Sequence, residues 1–152
     1  IGHHPEGPGP ACDRCLDGGE RGPHLVGPLR ADHPLGAAEL QAAARLREMG
    51  SGSVIITSRY GCVAQLVDGE QVRSFIGKIP DVEVISPMGW GDALVAGYCV
   101  RLREGDAPEE CLRFGLGCGA ANLIRYGAGV FSADDAAQLA TQVEITEVPT
   151  ER

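Results

Sequence analysis

No stretch of this chain approaches the ~20 consecutive apolar residues of a membrane-spanning helix, and no secretory leader is visible. Positive charge is scarce too. Against 21 Asp and Glu stand only 13 Lys and Arg, for a formal net charge of −8. Nucleic acid selects basic faces, so it is not an expected partner, and without a spanning run no membrane partner is expected either. An acidic protein can still hold a phosphorylated metabolite, because local backbone N–H groups can supply the site. A disulfide framework is also lacking. The six cysteines lie at 12, 15, 62, 99, 111 and 118, several in apolar, helix-like stretches where Cys behaves as a small hydrophobe. That usage fits a reducing cytoplasm. Cys12 and Cys15 form the only CxxC, with His3, His4 and His24 nearby. One unpartnered CxxC in a Gly/Pro-rich tail is half a zinc site at most, and no metal is expected there.

What is present is enough chain for one domain: 152 residues, 43% hydrophobic, suffice for a real core. The first residue is Ile, which reads as a fragment or a processed product. Residues 1–21 are dense in Gly, Pro, His and charge without periodicity, and are expected to be an irregular or disordered lead-in. Residues 22–152 form the expected domain, with order beginning near His24.

Within it, Ala37 to Met49 has helical spacing, with Leu40, Ala43, Ala44 and Leu46 on one face and Gly50 as a stop. Ser53 to Thr57 is a short apolar run suited to a buried strand. Cys62 to Val67 and Gln71 to Ile76 read as a hairpin about Asp68-Gly69. Val82 to Ile85 reads as a further strand. Three consecutive helices follow. The first spans about Gly91 to Arg103, with Leu94, Val95, Tyr98, Cys99 and Leu102 as its expected core stripe. Asp106 to Glu109 is a capping box with Pro108 in the first turn. The helix it starts contains Gly115, Gly117 and Gly119. Each glycine there costs up to ~1 kcal/mol, so three imply close approach of a neighbouring backbone. Ser132 to Asp135 caps a third helix, and Val143 to Thr146 suits an edge strand. Strands followed by helices make an α/β layer fold.

The densest signal is Ile85-Ser86-Pro87-Met88-Gly89-Trp90-Gly91-Asp92, running into Ala93 to Tyr98. Two glycines bracket a tight turn and an Asp opens an amphipathic helix. Amides at a helix N-terminus lack intrahelical acceptors, and the helix dipole adds partial positive charge. Glycines let a phosphate approach such amides closely. A carboxylate beside them can take a proton from an attacking hydroxyl. An anion cradle plus a base is the minimum apparatus of phosphoryl transfer. Gly89 to Asp92 also make an ordinary turn with an Asp N-cap.

Val84 to Gly97 resembles the signature of the ribokinase-like, PfkB-type carbohydrate kinases, whose motif reads Gly-Ala-Gly-Asp at the start of a helix. Cys118 to Leu123, Gly127 to Asp135 and Gln142 to Ile145 look most like the 1-phosphofructokinase and tagatose-6-phosphate kinase branch. Val54 to Gly61 looks like that family's strand and nucleotide loop. The resemblance covers roughly residues 22–148 in family order. It implies the C-terminal half of a three-layer α/β/α ribokinase-like fold, with ATP and Mg²⁺ as cofactors and a ketohexose phosphate as substrate. By the same resemblance Asp92 is the base, and Gly89, Trp90 and Gly91 form the anion hole. Thr57, Ser58 and Gly61 border ATP, while Asn122 and the loop of Gly127 and Gly129 lie near the adenine or a monovalent cation.

Three departures accompany the resemblance. Trp90 stands where the family carries a small residue, and Ser58 replaces a glycine of the nucleotide loop. In Val26 to Asp32, similar to the family's Lys-Pro-Asn-x-x-Glu segment, Gly27 replaces Lys and Leu29 replaces Asn. No metal role passes to Asp32. The family's N-terminal half has no counterpart here, and an exposed half-sheet invites pairing. A second copy or a polypeptide carrying the other half is therefore an expected partner. The alternative function is a non-catalytic remnant that folds and binds nucleotide without turnover.

Overall fold

Alternating residues on either side of Asp68 build the sheet. In the computed structural model, which describes residues 36–58 and 61–149, β1 (Val54–Ser58), β2 (Gly61–Asp68) and β3 (Gln71–Lys78) are antiparallel in chain order. The last strand, β4 (Glu144–Val148), pairs on the far side of β3. The β2–β3 register places Asp68 opposite Gln71. The loop is thus Gly69-Glu70, one residue later than the expected Asp68-Gly69. Gly69 has φ +61°, and no described non-glycine residue has positive φ. Glycine in first place is the II′ turn, whose twist matches that of the strands.

The pleat sorts side chains to two faces. Cys62, Ala64 and Leu66 of β2 and Phe75 of β3 pack with Leu112 and Leu116 from α3 (Pro108–Leu123). Gln65 and Ser74 point to the other face, over which α1 (Ala37–Glu48) lies. The result is three layers, α/β/α. α1 ends as expected, with Gly50 at φ +105° and its N–H donating to the Arg47 carbonyl at 2.9 Å. Its apolar face is only partly seated: Ala43 is buried, Leu40 and Ala44 are half-buried, and Leu46 is exposed. A cleft of about 650 Å³ separates it from Gln65 and Ser74.

Four further expectations need correction. β1 is an edge strand with only Val54 buried, rather than a buried strand. Val82 to Ile85 belongs to no strand. No described strand runs beside it, and a strand exists only by pairing. Instead the Ile85 and Ser86 amides both donate to the Leu123 carbonyl, at 2.8 and 3.1 Å. In α2 (Trp90–Glu104) the buried face is Ala93, Leu94, Gly97 and Tyr98, while Val95, Cys99 and Leu102 are exposed. Finally, Asp106 is not a cap. The N-cap of α3 is Ala107, with no side-chain hydrogen bond, and Asp106 instead pairs with Arg101 at 2.6 Å.

The three interior glycines of α3 do meet neighbours closely. A Cβ on Gly115 would lie 2.6 Å from the Leu94 carbonyl oxygen, and one on Gly117 2.6 Å from that of Ala136. These positions let α3 pack between α2 and α4 (Ala133–Ala140). Ser132 caps α4 as expected, accepting from the Asp135 amide at 3.0 Å. The expected edge strand is β4, one residue beyond Val143 at its start.

Candidate functional site

The turn before α2 is shaped by Gly89. This N-cap residue has φ +80° and ψ 3°, and a Cβ on it would lie 2.6 Å from the Cβ of Ala128. Glycine is thus required both by conformation and by space. The first amide with an intrahelical acceptor belongs to Ala93, which donates to the Gly89 carbonyl at 2.9 Å. The amides of Trp90, Gly91 and Asp92 precede it and have no intrahelical partner. A Cβ on Gly91 would meet nothing within 4 Å outside its neighbours. Asp92 is exposed, and among the described residues no hydrogen bond or ion pair engages its carboxylate. One helix end therefore presents free donors, open space and an unengaged carboxylate.

Trp90 fits this turn because of α3. It is half-buried, packs against the core cluster, and its Cε3 lies 2.9 Å from where Gly119 would carry a Cβ. The indole is seated on α3. Sequence reasoning noted Gly119 as a packing glycine but missed that Trp90 is what it accommodates. A lone tryptophan in the turn and a glycine deep in the next helix were the available signal.

Asn122, in the last turn of α3, is fully buried. Its Nδ2 donates to the Met88 carbonyl at 2.7 Å, and its Oδ1 accepts from the Gly129 amide at 2.7 Å. The side chain thus joins the Gly89 turn to the loop of Gly127 (φ +96°) and Gly129 (φ +74°). Met88 and Ala128, which contribute a carbonyl and a packing surface, carried no signal in the sequence.

Thr57, Ser58 and Gly61 stand where β1 turns into β2, with Ser58 opposite Gly61 and its Oγ donating to the Gly61 carbonyl at 3.4 Å. A Cβ on Gly61 would run into the Gly77 carbonyl. α3 runs alongside β3 in the same sense, with Glu109 4.0 Å from Arg73 and Leu116 against Gly77. Its C-terminal end, with the start of α2 beside it, lies at the end of the sheet where β1 meets β2. Residues 27–32, with Cys12 and Cys15, lie outside the described residues. Burial pushes the Cys62 thiol up to about 12, and raises Cys118 as well. Among the described residues no three His, Cys, Asp or Glu cluster as a metal cage, and no helix is long and apolar enough to cross a membrane.

This α/β arrangement is ribokinase-like, a fold of sugar kinases. The structure of Arabidopsis thaliana ribokinase complexed with ribose and ATP matches with TM-score 0.56 and 26% identity, over 66% of this chain and 32% of that one. Escherichia coli phosphofructokinase-2 in complex with potassium matches with TM-score 0.58 and 27% identity, over 67% and 32%. Residues 32–135 match the pfkB family of carbohydrate kinases, and the chain belongs to that family. The 1-phosphofructokinase of Escherichia coli K12 is 27% identical over 132 residues, 81% of this chain. The chain spans 41% of the length of that relative.

Proposed function

We propose that this chain is the nucleotide-binding, C-terminal part of an ATP-dependent kinase acting on a hydroxyl of a phosphorylated ketohexose. One observation carries the reading: free amides and an unengaged carboxylate, Asp92, share the open N-terminus of α2. In the proposed reaction the amides of Gly89, Trp90 and Gly91 stabilise charge on the phosphoryl group in transfer. Asp92 accepts the proton of the attacking hydroxyl late, as the oxygen bonds to phosphorus, so an ordinary carboxylate suffices. Thr57, Ser58 and Gly61 border the nucleotide, and the loop of Gly127 and Gly129 lies by the adenine or a monovalent cation. One relative solved with bound ATP and another solved with potassium support a nucleotide and a monovalent cation as the ligands. Mg²⁺, where bound with the nucleotide, would neutralise phosphate charge, and no residue of this chain is assigned to hold it. The free thiols of Cys62, Cys111 and Cys118, buried in the core, suit the cytoplasm.

A second reading, nucleotide binding without turnover, is favoured by the Val82 to Ile85 segment, which joins no described strand and whose Val84 and Ile85 are 46% and 43% exposed. Apolar backbone of this kind is completed by a strand from a polypeptide carrying the other half, or from a second copy. Thermal shift with Mg-ATP tests both readings, since each requires stabilisation. A coupled assay with fructose 1-phosphate and tagatose 6-phosphate then separates them. Absence of any Mg-ATP shift would sink both.

A further inference from the structure

We infer that Asn122 is a positioning residue that aims the Gly89 amide at the bound anion without touching the anion itself. The inference rests on the reading of the α2 N-terminus as a phosphate site. Its geometric basis is the rigidity of a peptide unit: in a trans peptide the C=O and the following N–H lie in one plane and point in opposite directions. Asn122 Nδ2 holds the Met88 carbonyl inward at 2.7 Å. The N–H of Gly89, the other end of that peptide plane, is thereby turned away from Asn122 and the interior.

A simple helix-end role does not account for these contacts. A C-terminal polar residue would cap its own helix or face water. Asn122 is fully buried and reaches 34 residues back in sequence and 7 forward. Its two partners also fix its orientation, since a carbonyl needs the donor end and an amide the acceptor end. The Oδ1 bond to the Gly129 amide at 2.7 Å keeps the carboxamide from rotating. Ala128, next to Gly129, packs directly on Gly89. Turn, side chain and loop form a closed unit, and a buried unit of this kind is held only while every polar member is satisfied.

The test uses the whole chain and needs no variant at its first step. Native-state hydrogen exchange should find the Gly129 amide protected and the Gly89 amide fast, although both lie in glycine-rich turns. A protected Gly89 amide, or a Gly129 amide exchanging like a free loop, would overturn the inference. Mg-ATP titration of Asn122→Asp and Asn122→Ala by calorimetry is the second step. Folded variants, judged by circular dichroism, should bind roughly tenfold more weakly or worse, as expected for a misaimed charge-assisted hydrogen bond. Affinity within twofold of the unaltered protein would also overturn it. If the unaltered chain binds no Mg-ATP, the functional reading falls alone. Exchange, with the emission of the single tryptophan, Trp90, then decides the positioning claim: a red shift in the folded variants supports it and unchanged emission refutes it.

Discussion

Gly119 is the hole into which Trp90 fits: a Cβ on Gly119 would stand 2.9 Å from Trp90 Cε3 and 3.2 Å from the Trp90 carbonyl oxygen. A bulky residue in the turn before α2 is thus tolerated because a helix one element away gives up its side chain. The pair joins the turn to the centre of α3, and mutations in that helix should be felt at the turn.

Alanine at these glycines tests the packing. Alanine alone favours a helix by up to ~1 kcal/mol over glycine. At Gly117, however, a Cβ would lie 2.6 Å from the Ala136 oxygen and 2.7 Å from the Ala140 Cβ, which demands movement of α4. Gly117→Ala should destabilise by about 1–3 kcal/mol in urea unfolding, the usual range for overpacking. Gly119→Ala should cost less, since the indole can tilt, but should shift the emission of Trp90. Unaltered or raised stability in Gly117→Ala would show that α3 and α4 are not in close contact.

Asp92→Asn keeps the shape of the side chain and removes the carboxylate proposed as the base. Wherever turnover is measured, it should fall by about 10²–10⁴-fold, the range for a general base, with Mg-ATP affinity little changed. Retained turnover would remove Asp92 from the mechanism.

The helical outline was legible because its signals are local. Pro108 at the first turn of α3, Ser132 as a cap and Gly50 as a stop each act within a few residues, and all stand where expected. The spacing of Gly115, Gly117 and Gly119 even disclosed tight packing. Val82 to Ile85 was misread because its alternation reports the preference of a strand, whereas a strand also needs a neighbour. The stripe on α2 held at Leu94 and Tyr98 but failed at Val95, Cys99 and Leu102 for a related reason. Packing against the glycines of α3 buries the small Ala93 and Gly97, and leaves Val95, Val100 and Leu102 about half exposed. In the site, Gly89 and Asp92 were legible as a motif. The bond from Asn122 to Met88 was not, since 34 residues separate them and a carbonyl leaves no mark in sequence.

Thiol chemistry should follow burial. Of the described cysteines, Cys99 is exposed, while Cys62, Cys111 and Cys118 are buried. Labelling at pH 8 followed by peptide mass spectrometry should modify Cys99 first and leave those three until unfolding. Burial holds Cys62 protonated up to about 12, against an ordinary 9.0. The unfolded chain releases that proton earlier. The stabilisation is therefore complete below about pH 9 and is lost as pH rises towards 12, at about 1.4 kcal/mol per unit. Urea midpoints should fall through that alkaline window, and less so in Cys62→Ala relative to its own neutral-pH value. Equal slopes would place the alkaline loss elsewhere.

The amides at the mouth of α2 can be watched directly. A ¹H–¹⁵N titration of the labelled chain with Mg-ATP should move the resonances of Gly89, Trp90, Gly91 and Asp92 together, saturably, ahead of those in β4 or the outer face of α2. If these four stay still while Mg-ATP binds elsewhere, or if nothing moves at all, the helix end is not a phosphate site.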